Sequence, residues 1–136
     1  MKKIIAPGMI VGVVTLVVGM VVSYLFMVFP SVAADYQNAS VMRQWSDPLM
    51  SLFALYPFIQ GIIFAWVWDK TKKLFSGKSI DRGINFGASV WLAAILPGML
   101  VSYSSFPLSL LTIFSWTIDG FICSVISGLI FVKMNE

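Results

Sequence analysis

One ionisable side chain lies deep inside an apolar stretch of this sequence: Asp119, in the run Ser115-Trp116-Thr117-Ile118-Asp119-Gly120. An acid at the centre of a bilayer costs about 2.5–3.5 kcal/mol on insertion scales, and such acids usually face an interior and mark an ion or proton route. At helical spacing Thr112, Ser115, Trp116, Cys123 and Ser127 share its side. Gln60 sits in a second apolar stretch and offers an amide, with Tyr56 one turn before it. These residue types predict a polar midplane site formed by Asp119, Gln60, Ser115, Tyr56 and Thr112 that binds a proton, a cation or a polar head group. The same residues also support a plainer arrangement, in which a protonated Asp119 joins two helices through one hydrogen bond. No lysine or arginine stands at that depth, so Asp119 either keeps its proton or is charged against a bound cation or a partner's base.

Other chemistries are excluded by composition. The chain has no histidine and a single cysteine, which removes an internal disulfide, a Cys/His zinc site and a Ser-His triad. Cys123 reads as a small buried hydrophobe, because an apolar setting suppresses the reactive thiolate. No metal and no cofactor are expected, and an enzyme fits least well, since Asp119 alone would have to serve as general acid or base. A net charge of +3 invites a nucleic-acid reading, but the positive residues sit in short loops beside apolar runs and form no solvated face for phosphates. No nucleic-acid partner is expected.

The elements that hold Asp119 follow from hydropathy. The 136 residues are 59% hydrophobic and 11% charged, with mean hydropathy +0.91. Soluble domains carry about 25% charged residues, so the chain reads as an all-α polytopic membrane protein, a single domain whose first partner is the lipid bilayer. A spanning helix needs about 20 apolar residues, and four stretches supply them: 4–29, 48–68, 83–103 and 107–132. The segment 30–47 becomes an external loop and 69–82 a cytoplasmic one. Lys2-Lys3 followed by an apolar run resembles a secretory signal, but its apolar core is longer than the roughly 7–15 residues of such signals, and it reads as a retained helix. Lys2, Lys3, Lys70, Lys72, Lys73, Lys78, Arg82 and Lys133 fall on one side of a four-pass chain and Arg43 alone on the other. By the positive-inside rule both termini are cytoplasmic, in the plasma (inner) membrane of a bacterium. Trp66, Trp68 and Phe75 on that side, and Tyr24, Tyr36, Trp45 and Tyr103 on the other, suit interfacial aromatic belts.

The sequence also repeats itself. Gly19-Met20-Val21-Val22-Ser23-Tyr24 matches Gly98-Met99-Leu100-Val101-Ser102-Tyr103, and Pro48-Leu49 and Ile59-Gln60-Gly61 match Pro107-Leu108 and Ile118-Asp119-Gly120. Two copies of one hairpin are expected, giving a four-helix bundle. Gln60 and Asp119 become equivalent, each 12 residues beyond its proline, or about 18 Å along a helix at about 1.5 Å per residue. Membrane helices associate by close backbone approach at small residues. Gly8, Gly12 and Gly19 on the first helix, Gly61 on the second, Gly87 and Gly98 on the third, and Gly120, Ser124 and Gly128 on the fourth predict packing seams, which would also serve a homo-oligomer or a larger membrane complex. Pro57 and Pro97 predict kinks that free the carbonyls of Phe53 and Ala93.

The Gly-x(4)-Tyr endings at Gly19 to Tyr24 and Gly98 to Tyr103, the proline at Pro48 and the glycines at Gly120 and Gly128 resemble the small four-helix bacterial integral membrane proteins of a domain-of-unknown-function type. That resemblance implies an architecture and no activity. The function expected is structural or accessory, through helix packing; the alternative is a small proton- or cation-coupled transporter or channel that uses the Asp119 and Gln60 site.

Overall fold

The computed structural model describes residues 2–135. It contains α1 (Lys2–Phe26), a short α2 (Pro30–Gln37), α3 (Ser51–Thr71), α4 (Ser79–Ser105) and α5 (Leu110–Asn135). Four of these are long and apolar enough to cross a membrane, and among the described residues there is no strand.

Local chemistry sets the helix ends. The first helix stops at Phe26, short of the expected Phe29, because Phe29 precedes Pro30 and takes the extended backbone that position favours. Pro30 then opens α2 in its first turn, so part of the expected external loop is helical. Asp47 caps the 3-10 turn Pro48–Met50 by accepting the Leu49 N–H, the start that Asp47-Pro48 predicts. At the other end of α3 helical backbone runs on to Leu74 and resumes at Ser79. The expected loop 69–82 thereby shrinks to a four-residue turn, 75–78. The last helix begins at Leu110, because Ser109 rather than a residue before Pro107 receives the Thr112 N–H.

Inside α4 the turn Trp91–Ile95 is a π-helix in which the Leu96 N–H reaches back to the Trp91 carbonyl. Pro97 follows directly. Its ring has no N–H for the Ala93 carbonyl, and the wider turn accommodates that defect. The indole of Trp91 holds the widened turn against α5 by donating to the Thr117 carbonyl at 2.9 Å.

Packing runs α3 on α1, α1 on α5 and α5 on α4, with no comparable contact between α3 and α4. Two glycine crossings fasten the bundle near the end that bears both termini, termed here the terminal end. A Cβ on Gly8 would lie 2.6 Å from the Ile62 Cα, one on Gly12 2.8 Å from the Phe58 Cα, and one on Gly61 would strike the Gly8 carbonyl. Across the second crossing, a Cβ on Gly83 would lie 2.9 Å from the Leu129 Cα and one on Gly87 2.5 Å from the Val125 Cα, while one on Gly128 would strike the Gly83 carbonyl. The copied-hairpin alignment pairs Gly8 with Gly87 and Gly61 with Gly120. Yet Gly87 meets Ser124 and Val125, one helical turn beyond Gly120, so the two crossings differ in register.

Between the crossings Trp68, Phe86 and Phe131 are fully buried. The Phe86 ring stands edge-on to Trp68 at 5.2 Å, to Phe75 at 5.7 Å and to Phe131 at 6.1 Å. The Arg82 guanidinium lies 5.6 Å from the Trp68 ring centre. Trp68 therefore belongs to the core and not to an interfacial belt, and the half-buried Phe75 stacks on it. Tyr24 and Trp45 are mostly exposed.

Candidate functional site

Toward the opposite, loop end the helices separate, and a cavity of about 440 Å³ opens among α1, α3, α4 and α5. Asp119, Gln60 and Tyr56 all line it. Asp119 faces α1 at Gly19, where a Cβ would sit 3.4 Å from the carboxylate Oδ2. The glycine predicted to bring two backbones together thus makes room for an acid. Gly98 also lines the cavity, with nothing within 4 Å of where its Cβ would be. Gly120 meets the Ile95 side chain rather than a helix backbone. For Gly19, Gly98 and Gly120 the expected backbone seam is replaced by cavity wall.

The carboxylate has weak company. Cys123, one turn on, places its Sγ 3.4 Å from Asp119 Oδ1 and 3.8 Å from the Thr15 carbonyl, so a single soft S–H is divided between two acceptors. Both ion pairs among the described residues, Arg43–Asp47 and Lys72–Asp69, lie in other segments. Gln60 interacts with the Tyr56 hydroxyl on its own helix. Pro57, between them, is buried. Ser127 turns back to the Cys123 carbonyl at 2.6 Å, and the buried Ser124 hydroxyl, also on the cavity wall, has no hydrogen-bond partner. The site is a single acid on a mostly apolar wall that also carries neutral polar groups, among them Gln60, Thr15 and Ser23.

Thr112 and Ser115, expected in the same site, lie elsewhere. Ser115 is buried and donates to the Thr112 carbonyl at 2.7 Å. Thr112 belongs to a polar cluster at the head of α5, one that sequence reasoning missed. Asp35 of α2 accepts through Oδ2 from the Ser109 N–H at 2.9 Å, the Ser109 hydroxyl at 2.7 Å and the Thr112 hydroxyl at 2.6 Å. A helix start leaves N–H groups unsatisfied and carries partial positive charge, and an acid from another segment answers both. Burial pushes the Asp35 carboxyl up, but the donors from Thr112 and Ser109 outweigh it and hold the group below its ordinary value. Next to this cluster the Trp116 indole donates to the Tyr36 hydroxyl at 2.7 Å, so Tyr36 is engaged with α5. Since Trp116 also lines the cavity, α2 is fastened to the rim. The only sequence signal was the pairing of Asp35-Tyr36 with the Ser-x-x-Thr at Ser109 and Thr112, more than seventy residues away.

No family model, no curated protein and no solved structure matches this chain.

Proposed function

We propose that the protein is a small multi-pass protein of a bacterial inner membrane, with both termini cytoplasmic, that carries or conducts a proton or cation by way of Asp119. One observation carries this reading: a lone carboxylate lines a cavity of about 440 Å³ and has no basic partner beside it. An acid used only to join helices would be expected to meet a strong donor on a facing helix. Here its facing neighbour is the bare backbone at Gly19 and its donor is a thiol on its own helix. Gln60 and Tyr56 supply polar groups across the cavity, and the π-helical turn at Trp91–Ile95, of a kind frequent at functional sites, forms part of its wall.

The test is flux through reconstituted liposomes. The wild-type protein should dissipate an imposed proton or potassium gradient, and Asp119→Asn should fall to the level of protein-free vesicles while eluting as the same species on size exclusion. Equal flux from both proteins overturns the reading.

A structural or accessory role is the second reading, favoured by the two glycine crossings, which build a rigid half-bundle with no need of a ligand. On that reading Asp119→Asn leaves every property of a host complex intact, whereas substitutions at Gly8 or Gly128 dissolve it.

A further inference from the structure

Granting that Asp119 handles a cation, the lining of its cavity selects among cations. A small hard ion such as Ca²⁺ takes about 6–8 oxygen ligands. Among the described residues no three His, Cys, Asp or Glu side chains converge, and Asp119 is the single carboxylate on this wall. Four aromatic residues, Phe53, Tyr56, Phe64 and Trp116, stand on the same wall. The face of an aromatic ring attracts a cation whose charge is diffuse and whose water shell is loosely held. The volume of about 440 Å³ also falls within the roughly 300–1,000 Å³ of pockets that enclose drug-sized organic molecules.

Access agrees with this. Helices α3 and α4 both line the cavity but meet at the terminal end, where Trp68 packs on Phe86, with little contact elsewhere, and Phe53 and Tyr56 are more than half exposed, at 53% and 56%. The cavity therefore opens sideways between those helices, onto the apolar flank of the bundle. A molecule entering there arrives from the hydrocarbon phase and so carries apolar bulk along with its charge.

We propose that the cavity binds a lipophilic organic monocation, an amine or quaternary onium, with its charged centre against Asp119 and its apolar body among Phe53, Tyr56 and Trp116. The inference rests on the cation reading above and narrows it.

The probe is tetraphenylphosphonium, with tetraphenylborate as a control of the same shape and opposite charge. Titration of the purified protein in detergent, read by tryptophan fluorescence and by equilibrium dialysis, should give saturable binding of one phosphonium per chain and no saturable binding of the borate. Asp119→Asn should weaken phosphonium binding at least tenfold. Gly98→Leu, at a cavity-wall position where an added Cβ meets no atom within 4 Å, should also weaken it at least tenfold while leaving the thermal unfolding midpoint where it was. Equal binding of the two ions, or phosphonium binding indifferent to both substitutions, shows an apolar groove for lipid chains and overturns the inference. Asp119-dependent proton or potassium flux without saturable phosphonium binding overturns it too, and leaves the broader cation reading standing. Charge-selective, Asp119-dependent phosphonium binding without flux supports it and overturns only transport.

Discussion

The two ends of this bundle solve opposite problems with the same residue type. At the terminal end, Gly8, Gly61, Gly83, Gly87 and Gly128 bring backbone against backbone, and the fully buried Trp68, Phe86 and Phe131 fill the space between the crossings. Toward the loop end, Gly19 leaves room for a carboxylate and Gly98 faces empty space. In lipid, where burial of apolar surface contributes little between helices, close packing supplies most of the association energy. The terminal end therefore holds the fold, and the cavity end is held open by it. The difference teaches that a small residue in a membrane helix marks close approach only where something approaches; otherwise it marks volume.

The sharpest way to break this contrast is to place one substitution at both ends. Gly8→Leu or Gly128→Leu forces a side chain into the Ile62 backbone or the Gly83 carbonyl, and overpacking that cannot relax should cost roughly 3 kcal/mol or more. We expect loss of the monodisperse species on size exclusion. Gly98→Leu should stay within about 0.5 kcal/mol of wild type. Similar losses at both ends would refute the division.

Truncating the aromatic core comes next. Phe86 touches three other rings, and Phe86→Ala would leave a void among them. Soluble cores lose about 3–5 kcal/mol for such a change. Lipid solvates an apolar side chain nearly as well as the core does, so the packing loss remains and the transfer part is small; about 2 kcal/mol is expected in detergent unfolding. Phe53→Ala, at the exposed cavity mouth, should cost under about 1 kcal/mol by the same measurement.

How much of this was written in the sequence depends on the range of the contact. Four spans were legible because hydropathy is a local sum, and Gly8, Gly61 and Gly128 were legible because a glycine within a long apolar helix has few purposes. Asp119 stood out as an acid in a run of apolar letters, Gln60 followed from the repeat that pairs it with Asp119, and Tyr56 from its place one turn before Gln60. The placement of Thr112 and Ser115 was not legible. Spacing put them on the Asp119 side of the helix, but Asp35, brought over by the short α2, draws Thr112 to the rim. Nor was the use of Trp68 as core, since an indole at a span end reads as a belt residue until Phe86 and Phe131 are seen to enclose it.

The rim cluster supplies a smaller effect and a pH signature. Because three donors hold the Asp35 carboxyl below its ordinary value, its contribution is complete above the unfolded-state value of about 3.9 and is lost as the pH falls through the lower folded-state value. Unfolding stability should thus be flat in this term above about pH 5 and decline below about pH 4. Asp35→Ala removes an acceptor from the start of α5 and should cost about 1–2 kcal/mol and abolish that decline. Hydrogen exchange at Ser109 to Thr112 should rise in the variant, while exchange around Phe86 stays unchanged if the two ends are independent.

The smallest expected change in stability is at the residue with the largest expected change in function. Asp119→Asn keeps the shape of the side chain and an acceptor oxygen for the Cys123 S–H, which at 3.4 Å is a weak contact in any case. The group opposite is Gly19, which loses nothing when the charge goes, and no ion pair is broken. A carboxyl that anchored the bundle would cost about 1–3 kcal/mol on removal of its hydrogen bonds; this one should cost less than about 0.5 kcal/mol, with the unfolding midpoint in detergent as the readout. Clear destabilisation by Asp119→Asn would mean that the cavity end is also a structural joint, and the contrast between a holding end and an open end would have to be abandoned.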